Sequence, residues 1–176
     1  MKKAIVVALV FFFAGVAEAQ DSFTAHGATV IFHPPDLRKW NLVHKGMDAK
    51  SNKFLLMFKR SAIKDSEGRE IEPVIAVICE AVLDSSDMIQ YSIRKRTQVG
   101  FDVKKVLTHQ DGSLTCRNAV GYEGEYEKGS VLHKVLVAHI RHKEAGLQVI
   151  CDSTDGVYGK VEADMKNFLR SITFKK

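Results

Sequence analysis

No P-loop, dinucleotide-binding glycine fingerprint, G-x-S-x-G elbow or H-E-x-x-H pattern occurs in this chain of 176 residues. Each of those motifs places a phosphate, a nucleophile or a metal by a spacing that local backbone geometry enforces. Without them no catalytic constellation is legible, and the chain is expected to be non-enzymatic, with no catalytic residue, cofactor or metal site assigned. No C-x-x-C pair is present, so no zinc site is announced by cysteine spacing. Past the first twenty residues there is no second long apolar run, which argues against stable membrane insertion. Charge of one sign is nowhere concentrated: the net charge is +5, and Lys59-Arg60 stands close to Asp65 and Glu67. Only Arg94-Lys95-Arg96 and Lys104-Lys105 are basic clusters, too little for a nucleic-acid face with aromatics interleaved.

Cysteine is sparse. Cys79, Cys116 and Cys151 cannot all pair within one molecule. Cys79 and Cys151 sit in apolar, strand-like runs and read first as small buried hydrophobes with inert thiols. A disulfide between two of the three stays open, and spacing does not choose the pair.

What is present begins with MKKAIVVALVFFFAGVAEA. Two lysines, a short apolar run and a small-x-small ending at Ala17-Glu18-Ala19 have the form of a cleaved secretory signal peptide. The expected mature domain is therefore residues 20–176, a length that can bury roughly 70% of its unfolded surface in one core. The expected address is the periplasm, with secretion as the alternative.

Periodicity then gives the elements. Residues 20–27 read as loose. Ala28–Phe32, Trp40–His44 and Phe54–Arg60 read as strands, the first stopped by Pro34-Pro35, with a loop from Lys45 to Lys53. After the polar stretch Ser61–Glu72, Val74–Val82 is apolar at nearly every position, as in a strand covered on both sides. Asp84-Ser85-Ser86-Asp87 offers caps for a helix to about residue 99, with Met88, Ile89, Ser92, Ile93 and Arg96 on one face and Gly100 ending it. A four-strand meander follows: Val103–Thr108, Ser113–Glu123 across an Asp111-Gly112 turn, Val131–His142 and Leu147–Asp152. The final helix, about 156–172, carries Tyr158, Val161, Met165, Phe168, Leu169 and Ile172 on one stripe. Helices do not alternate with strands, so the fold class is α+β in a single domain, an antiparallel sheet with two main helices.

Candidate contact residues come from two segments, because loops on a rigid scaffold commonly carry function. One is Ser61–Glu72, with Glu67 and Arg69. The other is Tyr122–Tyr126, where alternation sets Glu123, Glu125 and Glu127 on the face opposite Tyr122 and Tyr126. Such carboxylates suit a hard cation or a basic partner, or simply blunt a strand edge. His133 and His139 share a face about 20 Å apart, too far to hold one ion together.

The element order, and the ending LQVICDST…VYGKVEADMKNFLRSITF, resemble the PsbP superfamily over about Ala28 to Phe174. That superfamily also includes DcrB-like envelope proteins, whose lipidated cysteine this chain lacks. The resemblance implies an α-β-α sandwich and an accessory or binding role. The expectation is an exported protein that contacts another envelope or secreted protein. A small-molecule or metal-ion binding module is the alternative, and a hydrolase with residues scattered in sequence is a further one.

Overall fold

A computed structural model of the protein describes residues 20–82 and 87–175. The segment Met1–Ala19 and the cap candidates Asp84, Ser85 and Ser86 lie outside the described residues. The strands are β1 (Asp21–Ala25), β2 (Ala28–Phe32), β3 (Trp40–Asp48), β4 (Lys53–Arg60), β5 (Ile63–Lys64), β6 (Glu70–Ile71) and β7 (Val74–Ala81). Helix α1 (Met88–Arg96) follows, then β8 (Asp102–Leu107), β9 (Ala119–Lys128), β10 (Val131–His142) and β11 (Ala145–Thr154). The chain ends in α2 (Asp155–Tyr158), α3 (Glu162–Ser171) and β12 (Thr173–Phe174).

Seven strands form one antiparallel sheet in the order β3-β4-β7-β11-β10-β9-β8. Its central strands are the ones whose sequences are apolar at nearly every position. One face is closed. Phe54, Leu56, Phe58, Ile75, Val77, Leu136, Ala138, Leu147 and Val149 project from it into the main core. Over them lie α2, α3 and the small sheet β1-β2-β12. Phe168 of α3 sits with Phe32 and Phe58 at centroid separations of 5.7 and 5.8 Å, and Phe23 stacks on Phe54 at 4.2 Å. All six residues of the terminal stripe are buried. The fold is α+β with helix on both faces of the sheet, as expected.

The opposite face is covered only in part. Helix α1 lies across β9 and β10. Beside it Leu55, Met57, Val74, Ile78 and Ile150 stay half-buried. Among the described residues, no helix is long and apolar enough to cross a membrane.

Several sequence expectations change. Residues 21–25 are not loose: β1 pairs with β2 across His26-Gly27, both at positive φ, the two-residue turn whose twist matches paired strands. Strand β3 continues past His44 to Asp48, with a bulge at Val43. Asp111-Gly112 does not join two strands directly. The Asp111 carboxylate accepts from the Ser113 N–H at 2.8 Å, and Leu114 is drawn into the core. The chain reaches β9 only at Ala119, after Thr115 Oγ1 and Cys116 Sγ have donated to carbonyls at the end of α3 and beyond it. The terminal helix is two helices, because residues 159–161 turn with bonds of i→i+3 type.

Candidate binding cleft

A concavity of about 760 Å³ lies at the end of the sheet where β11 stops. Ala62 and Arg69–Glu72 form one wall. Lys128, Gly129 and Val131 of the β9–β10 turn form the other, with His133 and Thr154 at the inner end. His133 and Thr154 are register partners across β10 and β11, so their side chains stand on the same face.

A fixed polar group supports the inner end. The Asp152 carboxylate accepts from Tyr126 Oη at 2.7 Å and from His133 Nδ1 at 2.9 Å. A carboxylate only accepts, so His133 Nδ1 carries the proton of this bond. Tyr126 also stacks on the His133 ring at 4.9 Å. Burial, and then the Asp152 carboxylate, push the Tyr126 phenol above its ordinary range, so it stays a neutral donor. Thr154 is 6% exposed, and its buried hydroxyl finds no hydrogen-bond partner among the described residues. On the outer wall Arg69 binds Asp65 at 2.7 Å and Glu67 at 3.0 Å, while Glu72 pairs with Lys59. The Asp65 carboxyl is held below its usual range by that guanidinium. Glu70 and Lys128, on opposite walls, form no ion pair with a described residue.

A second polar group lies beneath α1. Ser92 Oγ is 2.7 Å from Tyr122 Oη and 2.9 Å from His139 Nδ1. His139 is fully buried, and burial, with Lys95 nearby, lowers its pKa to about 4, so the ring is neutral at pH 7. Lys95 pairs with Glu80, which also meets Lys53 at 3.1 Å and accepts from Tyr91 Oη at 3.4 Å. Burial raises the Glu80 pKa, but the two ammonium groups outweigh it and the net shift is downward. These bonds decide which side of α1 faces inward. Tyr91, Ser92 and Lys95 are buried, whereas Ile89 and Ile93 are 67% and 52% exposed. The apolar-stripe expectation for α1 fails for that reason, since polar partners waiting on the sheet outcompete two isoleucines. Asp87 is the cap, in a reciprocal capping box with Gln90, and the helix ends at Arg96, before Gly100.

The expected contact residues therefore divide. Arg69 lines the cleft, Glu67 is its ion-pair partner on the outer loop, and Tyr126 backs His133. Tyr122 is instead sealed beneath α1. Glu123 and Glu125 face the closed side, 3.6 Å from Lys166 and 2.7 Å from Lys104, so they are already paired with lysines. Sequence reasoning did not find Asp152 or Thr154, and it considered His133 only as an ion ligand. Their one signal is alternation within LQVICDST, which puts Asp152 and Thr154 on one face but cannot say which face meets His133. Among the described residues no group of three or more His, Cys, Asp or Glu is placed to hold a metal ion. The three cysteines are free thiols, not a bridge. Cys79 and Cys151 lie four register positions apart on neighbouring strands, about 13 Å along the ladder. Burial pushes the Cys79 and Cys116 thiols up to about 12 and about 11.

No known protein family and no curated protein matches the chain. Solved structures do match, two of which follow. LpqN of Mycobacterium tuberculosis, involved in cell envelope biogenesis, has a TM-score of 0.57 at 15% identity, over 90% of this chain and 91% of its own. PA94 of Pseudomonas aeruginosa, a protein of unknown function, has a TM-score of 0.56 at 13% identity, over 89% of this chain and 98% of its own. The fold is shared with both. At such identities the likeness speaks of architecture alone.

Proposed function

We propose that this is an exported, non-enzymatic accessory protein of the bacterial envelope that binds another envelope protein through the cleft. One observation carries the reading. Two segments far apart in sequence, 69–72 and 128–133, wall a single cleft, and buried Thr154 offers it a hydroxyl that no described residue engages. A buried hydroxyl without a partner forfeits a hydrogen bond that a ligand can restore. A non-enzymatic role is supported by two features. The Ser92–His139 side-chain pair is sealed at 1% and 0% exposure beyond reach of a substrate. In the cleft, His133 is held by Asp152 but makes no bond to the Thr154 hydroxyl, so a nucleophile–base pair is not assembled. The envelope address rests on the signal-like first nineteen residues and agrees with LpqN's involvement in envelope biogenesis. Membership of the PsbP superfamily, suggested by element order, agrees with an accessory role.

A photo-crosslinking residue at Val131, in the intact cell envelope, tests this. The expected result is one abundant adduct that the same residue at exposed Ala163 does not give. Equal adducts from both positions, or none from Val131, reject the cleft as the contact site. N-terminal sequencing of the exported protein should begin at Gln20.

A further inference from the structure

The cleft has the outline of a missing strand. In the sheet, β11 lies between β7 and β10. Its pairing with β7 ends at Asp152, opposite Val74, and its pairing with β10 ends at Thr154, opposite His133. The strands on either side continue. Val131 and Leu132 of β10 pair with Lys128 and Glu127 of β9, and among the described residues have no partner strand on their other side. Ahead of β7, the Pro73 carbonyl accepts from the Arg60 N–H at 2.8 Å, so that line also runs on beside β4. Between the two lines is a lane two strand spacings wide, about 10 Å. Every cleft-lining residue belongs to its borders or its end: Ala62 and Arg69–Glu72 on one side, Lys128, Gly129, Val131 and His133 on the other, and Thr154 where β11 leaves.

We infer that the partner delivers a short extended peptide segment into this lane, where it pairs with the free edge of β10 as an added strand. The inference rests on the proposed partner-binding role and states what is bound. Main-chain amides supply donors and acceptors together, the mixture that suits the Thr154 hydroxyl and the His133 ring edge. A side chain alternating inward meets Val131 and Ile71. The unpaired charges at the mouth set the sequence preference, with an acidic residue toward Lys128 and a basic one toward Glu70. The half-buried apolar patch around Met57 is a weaker candidate, because it offers neither an orphaned polar group nor a charge to select an occupant.

The test is selection from a displayed random decapeptide library against the full chain. Enriched peptides should carry an acidic residue whose preference turns basic in Lys128→Glu. Binding should slow hydrogen exchange at the Leu132 amide, which points into the lane while the Val131 amide points to β9, and fall at least tenfold when alternate peptide amides are N-methylated. Thr154→Val should weaken binding about tenfold while raising the Tm of the unbound protein, a combination that a merely structural threonine does not produce. Failure to enrich any peptide overturns the inference. So does binding that survives N-methylation, or binding that leaves the Leu132 amide unprotected. If crosslinking at Val131 still captures a partner in that case, the cleft receives a folded surface instead, and only the added strand is rejected.

Discussion

The two faces of the seven-stranded sheet are built on different chemistry. The closed face is a dry core in which Phe23, Phe32, Phe54, Phe58 and Phe168 interlock beneath α3 and the small sheet. The other face is held by polar contacts: Ser92, His139 and Tyr122 in one group, and Glu80, Lys95, Lys53 and Tyr91 in another. Apolar burial is non-directional and tolerates small shifts, whereas hydrogen-bonded groups fix one seat. The closed face therefore supplies most of the stability. The polar face fixes where α1 sits and leaves the rest of its surface, including the cleft, open to a partner.

The largest expected effect separates the faces directly. Phe168→Ala removes a ring that touches Phe32 and Phe58 in the core, and should cost about 3–5 kcal/mol in denaturant unfolding. Met57→Ala, on the half-buried part of the other face, should cost about 1 kcal/mol, since that side chain is only partly removed from solvent. Equal losses would show that the open patch is covered in solution.

A smaller effect follows from pH. His139 has its folded pKa lowered to about 4, against an unfolded value of 6.5. The unfolded chain then binds one proton more than the folded chain between those limits. Stability is full above pH 6.5 and falls as the pH drops toward 4, by about 3 kcal/mol for the whole window. The groups facing this ring are Ser92 by hydrogen bond, Tyr91 and Tyr122 edge-on, Gln148 across the strand, and Lys95 and Glu80 through space. His139→Gln should flatten the stability slope between pH 5 and 6.5, measured by urea midpoints. An unchanged slope would mean that the histidine titrates normally.

Next comes the fit of α1 itself. A Cβ at Gly146 would lie 2.5 Å from Val82 and 2.7 Å from the Tyr91 ring. Gly146→Ala should therefore push Tyr91 off β11 at about 1–3 kcal/mol, the usual range for overpacking. Amide exchange in α1 should speed up while exchange in α3 stays unchanged.

Legibility in the sequence follows the same divide. Where side chains alternate or repeat against a dry core, the pattern alone locates the element: Ala28–Phe32 and Val131–His142 match their strands end to end, and the Tyr158-to-Ile172 stripe is buried at every position. Where polar partners decide, hydrophobicity misleads, as it does for Ile89 and Ile93 of α1. Turn chemistry accounts for the missed β1, since His26-Gly27 lacks the Asn or Asp that usually marks such a hairpin. The cleft was legible by halves. The loop 61–72 and Tyr126 stand out locally, but Asp152, His133 and Thr154 meet only through the β10–β11 register, which depends on a pairing no single strand encodes.

Thr154→Val is the smallest change and the most specific to the open face. Valine keeps the shape of threonine and removes a hydroxyl that hydrogen-bonds to no described residue. Thr154 is the N-cap residue of α2, yet its side chain makes no capping bond, so the substitution should not unravel that helix. Removing a buried, unsatisfied polar group should stabilise the unbound protein by about 1 kcal/mol. A core threonine with a hidden partner would show the opposite sign, a loss of similar size. The direction of this shift therefore separates a hydroxyl held in reserve for a ligand from one that already serves the fold.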